Sequence, residues 1–117
     1  MPRSTATVRL TIQLPGAALW RHRPAYAEIV HRARGQGLAG ATVFHAVEGF
    51  GADRRLHRER ALRVTSHGPC EVVIVENEPR LRAFLLSIAD ILEQTAASAI
   101  LERVRVHRPG AIEGRNA

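Results

Sequence analysis

Across residues 7–14 every second side chain is apolar: Val8, Leu10, Ile12 and Leu14 alternate with Thr7, Arg9, Thr11 and Gln13. A period of two is the pattern of a strand with one face buried and the other in water. Such a strand is not stable by itself. The rest of the chain must supply strands to pair with it and a layer to cover its apolar side.

The segments that follow do this in alternation. Pro15-Gly16 ends the first strand, and residues 17–23, which hold the single tryptophan, Trp20, read as irregular. Pro24 suits a helix N-terminus, where its missing N–H costs nothing. Tyr26, Ile29, Val30 and Ala33 then recur at helical spacing, and Gly35-Gln36-Gly37 stops the helix. A second strand is expected over 41–48 and a third over 69–76, where 72–75 is apolar without a break, as in a strand buried on both faces. Leu81, Phe84, Leu85, Ile88, Ile91 and Leu92 form one apolar stripe at i, i+3, i+4, i+7, i+10 and i+11. That spacing predicts a single second helix, with Pro79 in its first turn and Asn77 or Glu78 as its cap. A fourth strand is expected over 100–107, with Val104 and Val106 set against Arg103 and Arg105.

The order β-α-β-β-α-β predicts an α+β fold: a ferredoxin-like sandwich with a four-stranded antiparallel sheet and two helices on one face. With 117 residues there is room for one domain, expected over 7–108, with a disordered stretch at 1–6 and a flexible tail at 109–117. No apolar run reaches the roughly 20 residues of a membrane span, and the first residues lack a secretory apolar core, so a cytoplasmic location is expected. Cys70, the only cysteine, lies among apolar neighbours and reads as a small buried hydrophobe rather than a nucleophile. Strands two and three carry apolar groups on both faces: Val43 and Val47 against Phe44 and Ala46, and Val73 and Val75 against Val72 and Ile74. The sheet's second face therefore needs a cover, and packing in a closed homo-oligomer supplies one.

The segment 49–68 is about 20 residues long, whereas most connections in compact domains run about 4–6. The net charge is +6, and all 17 basic residues are arginine, so overall basicity says less than where the arginines fall. Arg54, Arg55, Arg58, Arg60 and Arg63 concentrate in this segment beside His57, against Asp53 and Glu59, and Gly49 and Gly51 flank Phe50 at its start. Guanidinium forks and glycine N–H groups suit phosphate oxygens, which makes the loop an anion-binding or partner-docking element. The good helix formers over 55–63 equally suit a solvated helix.

The run Gly37-Leu38-Ala39-Gly40-Ala41-Thr42-Val43, followed by Glu48-Gly49-Phe50-Gly51 and a long polar loop, resembles the PII signalling superfamily. It is most similar to the PII-like group called domain of unknown function one-ninety. That group also shows a Trp and a Pro-x-Tyr before the first helix (Trp20, Pro24-Ala25-Tyr26), a Leu-His in the loop (Leu56-His57) and a Pro opening strand three (Pro69). The resemblance covers about residues 8–107. It implies a homotrimer with its sheets packed around the three-fold axis, a small anionic ligand, an adenine nucleotide, bound between subunits, and a mobile T-loop that signals the ligand to a target protein such as a membrane transporter or channel. Gly40, Ala41 and Thr42 match the segment that meets the adenine, and Gly49, Phe50 and Gly51 match the loop base beside the phosphates. The glycine- and lysine-rich B-loop of the nitrogen-regulating members has no counterpart, since Glu93-Gln94-Thr95-Ala96-Ala97-Ser98-Ala99 stands there. Arg103, Arg105 and the loop arginines are the candidates to replace its charge. The T-loop tyrosine modified in those proteins is also missing, Tyr26 being the only tyrosine.

Other classes receive less support. His22, His31, His45, His57, His67 and His107 show no metal-binding pair spacing on one helix, which leaves a metal-ion-binding trimer as a lesser alternative. No nucleophile motif or P-loop is present, so no enzyme is expected. Ferredoxin-like sheets also serve as RNA platforms, but no aromatic-rich strand motif accompanies Phe44. A module binding nucleic acid non-specifically through the arginine loop is the main alternative.

Overall fold

The computed structural model describes residues 5–49, 57–58 and 68–109. Among them the chain runs β1 (Thr7–Pro15), β2 (Leu19–Trp20), β3 (Arg23–Pro24), α1 (Ala25–Gly35), β4 (Thr42–His45), β5 (Glu48–Gly49), β6 (His57–Arg58), β7 (Pro69–Asn77), α2 (Glu78–Ser87), α3 (Ala89–Thr95) and β8 (Ser98–Arg103). Four strands form one sheet in the order β4-β7-β1-β8, every adjacent pair antiparallel. β1 and β7 pair along their whole length, Thr7 opposite Asn77 and Pro15 opposite Pro69. This is the ferredoxin-like arrangement expected from the order of elements.

The alternation of β1 sorts its apolar residues as expected, while Thr11, on the other face, is also buried. Val8, Leu10, Ile12 and Leu14 are buried beneath the helices together with Cys70, Val72 and Ile74 of β7. Ala25, Ile29 and Ala33 of α1, then Leu81, Phe84, Ile88 and Ile91, close over them, with Trp20 at the margin. Burial, reinforced by the neighbouring Glu71 carboxylate, pushes the Cys70 thiol up from 9.0 to about 11. An unfolded thiol ionises near its ordinary value while the buried one keeps its proton, so this contribution is intact below about pH 9 and is lost as pH rises toward 11. The stability advantage of the native chain over Cys70→Ala is therefore expected to shrink between pH 9 and 11, which urea midpoints of both proteins measured across that range would show.

Several elements differ from the sequence expectation. The second helix is divided at Ile88, whose backbone (φ −112°, ψ 15°) leaves the helical region. Ser87 Oγ bonds back to the Phe84 carbonyl at 2.7 Å, and the Ser87 carbonyl instead accepts from Arg32 Nη1 at 3.1 Å. Residues 17–23, read as irregular, hold all of the hairpin β2–β3 but Pro24, and its two-residue turn places Arg21 and His22 at positive φ (49° and 70°). The second strand is confined to Thr42–His45. The fourth strand is displaced to Ser98–Arg103, because Val104 N–H already bonds to the carbonyl of Thr7, where β1 begins, leaving Arg105 beyond the sheet. His57 and Arg58 pair with Glu48 and Gly49 as a short ribbon, so a helix does not run through those two residues.

The end of α1 follows its glycines. Gly37, at φ 72°, lets its own N–H reach the Arg34 carbonyl (3.1 Å) and the Leu38 N–H reach that of Ala33 (3.1 Å). This paired bonding satisfies carbonyls that the helix end leaves open. At the start of the domain the Ala6 carbonyl accepts from Glu78 N–H at 2.9 Å, so ordered contacts reach one residue before β1. Of the expected mobile tail, 110–117 lies outside the described residues, as does 1–4 of the N-terminal stretch.

Candidate functional site

Two regions of the fold bear on the expected site: the connection from α1 into β4, and the sheet face away from the helices. The connection runs from Gly37 to Ala41 and delivers Thr42 to the edge of the sheet. Gly40 and Thr42 are exposed and Ala41 is half-buried. A Cβ built on Gly40 would meet nothing within 4 Å, and its φ is not left-handed. Neither backbone strain nor packing against the described residues demands a glycine there.

This connection is anchored from the β7–α2 junction. Glu76 lies opposite Val8, on the helix side of the sheet. Its side chain is only 10% exposed, and Oε1 accepts the Ala39 N–H at 3.0 Å. Arg80 approaches Glu76 Oε2 at 3.4 Å and donates through Nη2 to the carbonyls of Gln36 (3.2 Å) and Gly37 (2.9 Å). Neither residue was expected as part of the site. The i, i+4 spacing of Glu76 and Arg80 is a recognised ion-pair signal, but here it crosses from a strand into a helix.

The remaining expected residues fall elsewhere. Gly49 pairs with His57, and Glu48 with Arg58, at the base of the arginine segment. Phe50, Gly51, Arg54, Arg55, Arg60 and Arg63 lie outside the described residues, as do 59–67 generally. Arg103 ends β8 opposite Val8, and Arg105 follows it; both are exposed and neither pairs with a carboxylate among the described residues. β4 and β8 are opposite edges of the sheet. Three inter-strand spacings of about 4.8 Å therefore separate the Gly40–Thr42 edge from the Arg103 edge, about 14 Å. One copy of the chain does not bring these residues together.

The open face has a mixed surface in three rows across the strands. Thr42, Val73, Thr11 and Ile100 form the middle row, with Phe44, Glu71, Gln13 and Ser98 on one side and Val75, Arg9 and Glu102 on the other. Phe44 is 56% exposed and Ile100 43%. Polar pairs frame this apolar centre: Gln13 Nε2 donates to Glu71 at 2.9 Å, and Arg9 donates to Glu102 through Nε and Nη2 at 2.9 and 2.8 Å.

His45 faces the other way, edge-on to Tyr26 with ring centroids 5.0 Å apart, and its buried Nδ1 has no hydrogen-bond partner among the described residues. Among the described residues no group of three His, Cys, Asp or Glu side chains is placed to hold a metal ion. No helix among them is long and apolar enough to cross a membrane.

Solved structures with the same arrangement include those of CPII from Thiomonas intermedia K12, a nitrogen regulatory PII-like protein. The structure bound to ADP and bicarbonate gives a TM-score of 0.61 at 17% identity, covering 88% of this chain and 90% of that one. The structure bound to ADP, AMP and bicarbonate gives 0.57 at 17% identity, covering 88% and 94%. The sheet and its helices thus make this a protein of PII-like fold. The model of the DUF190 family (Uncharacterized ACR) matches residues 7–106, and the chain belongs to that family. A UPF0166 protein of Aquifex aeolicus (strain VF5) is 33% identical over 66 residues, 56% of this chain and 63% of that protein. The chain therefore spans somewhat less than two thirds of the curated relative it matches.

Proposed function

We propose that the chain is a cytoplasmic, non-enzymatic PII-like regulator. In this reading it assembles as a homotrimer through its open sheet face and binds a small anionic ligand, an adenine nucleotide, between subunits. Gly40, Ala41, Thr42, Gly49, Phe50 and Gly51 of one subunit form one wall, and Arg103 and Arg105 of the next supply positive charge in place of the missing B-loop. The arginine segment, with Arg54, Arg55, His57, Arg58, Arg60 and Arg63, acts as a T-loop that presents the ligand state to a target, such as a membrane transporter or channel.

The observation that carries this reading is the separation of the two candidate walls onto opposite edges of one sheet. A second copy is what would bring an Arg103 edge beside a Gly40–Thr42 edge, and the partly apolar open face is suited to holding that copy. CPII structures of the same fold contain ADP, which supports the ligand class.

The test is calorimetric titration of the purified protein with ATP, ADP, AMP and cyclic AMP, with and without bicarbonate, at two salt concentrations. Saturable binding of one adenine nucleotide per chain is the expected result. Failure of all four to bind would overturn the nucleotide reading. Tight, steeply salt-dependent binding of unrelated nucleic acids in their place would favour the nucleic-acid alternative.

A further inference from the structure

We propose that Glu76 and Arg80 are positioning residues for the ligand-facing segment 39–42, an inference that rests on the nucleotide reading above. The chain after α1 has few other constraints. Leu38 is partly buried against the core, but Ala39 and Gly40 are exposed and Gly40 touches nothing that a Cβ would meet. A segment of this kind samples many conformations unless its backbone is tied down, and each ordering cost is taken from the affinity of whatever binds it.

The β7–α2 junction supplies the ties. Arg80 Nη2 holds the Gln36 and Gly37 carbonyls at the start of the connection, and Glu76 Oε1 holds the Ala39 N–H just before Gly40. The two side chains meet each other at 3.4 Å, so displacement of either loosens the other. Glu76 is itself fixed, because Oε2 accepts the Asn77 N–H at 3.2 Å, while Asn77 Oδ1 caps α2 at Arg80 N–H (3.0 Å). The backbone groups of 40–42 are thereby presented in one geometry before any ligand arrives. Neither side chain needs to touch the ligand for this to matter.

The experiment compares the native protein with Arg80→Gln, Arg80→Lys and Glu76→Gln by ADP titration, thermal unfolding and amide hydrogen exchange at Ala39 and Gly40. Glutamine at 80 loses the fork that spans two carbonyls and a carboxylate. Its expected effect is ADP binding on the order of tenfold weaker and faster exchange at Ala39 and Gly40, with the unfolding temperature within about 3 °C of native. Arg80→Lys restores a point charge to Glu76 and is expected to recover part of the affinity. Glu76→Gln retains an acceptor for Ala39 and provides the same test through a smaller loss should Arg80→Gln fail to fold. Unchanged ADP affinity in a folded variant, with the native protein binding normally, overturns the positioning role alone. Absence of ADP binding by the native protein overturns the nucleotide reading and this inference with it.

Discussion

Phe84→Ala is expected to destabilise the protein by about 3–5 kcal/mol, the usual range for removing a fully buried aromatic ring. Phe84 of α2 is completely buried in the core cluster that also holds the inward side chains of β1, β7 and α1. Its neighbours are largely β-branched or fixed by strand pairing, so they have little freedom to collapse into the space vacated. Domains of this size are stable by about 5–15 kcal/mol in total, which makes the loss a large fraction of what is available. The measurement is the urea midpoint at fixed protein concentration. Leu86→Ala on the same helix serves as the comparison: Leu86 is 80% exposed and should change the midpoint little. Equal effects at the two positions would show that the packing on the helix side is not as described.

The second large effect concerns the opposite side of the sheet. Val73→Arg is expected to convert the proposed homotrimer to single chains of 12.9 kDa by light scattering while leaving the fold in place. Val73 occupies the middle row of the open face, between Thr42 and Thr11. Within one chain that position has access to water, and an arginine can carry its charge away from the surface. Against a second sheet the same charge would be buried without a partner, at a cost of several kcal/mol. Retention of the oligomeric mass by a folded variant would show that another surface holds the copies together.

How far these features were legible in the sequence depended on whether periodicity alone determined them. β1 was legible because alternation specifies both the element and its buried face. The division of the second helix was not, because Ile88 is buried as the apolar stripe requires and the break lies in the backbone around it. What supports the break, the Arg32 guanidinium bonded to the Ser87 carbonyl, comes from a residue 55 positions away. The β2–β3 hairpin escaped notice because Arg21-His22 has neither the glycine nor the asparagine that such turns favour. β8 was misplaced, by two residues at its start and four at its end, because its extent is set by where β1 begins and ends. Ser98 and Ala99, poor strand formers, join the sheet by pairing with Gln13 and Ile12.

The candidate site divides in the same way. Gly40, Ala41 and Thr42 were named through resemblance, and no local pattern marks them. Glu76 and Arg80 carried no expectation from the sequence, because their contacts with Gln36, Gly37 and Ala39 exist only once the end of α1 is folded back beside the start of α2.

The order of strands has a further consequence for how such a protein would report a metabolite. If each ligand is gripped by two chains, every binding event also joins two chains, and occupancy and association become linked equilibria. Dilution would weaken the apparent affinity, and ligand would protect the assembly against dissociation. A cell could then tune the response threshold through the amount of protein it makes, with no change to any residue lining the site.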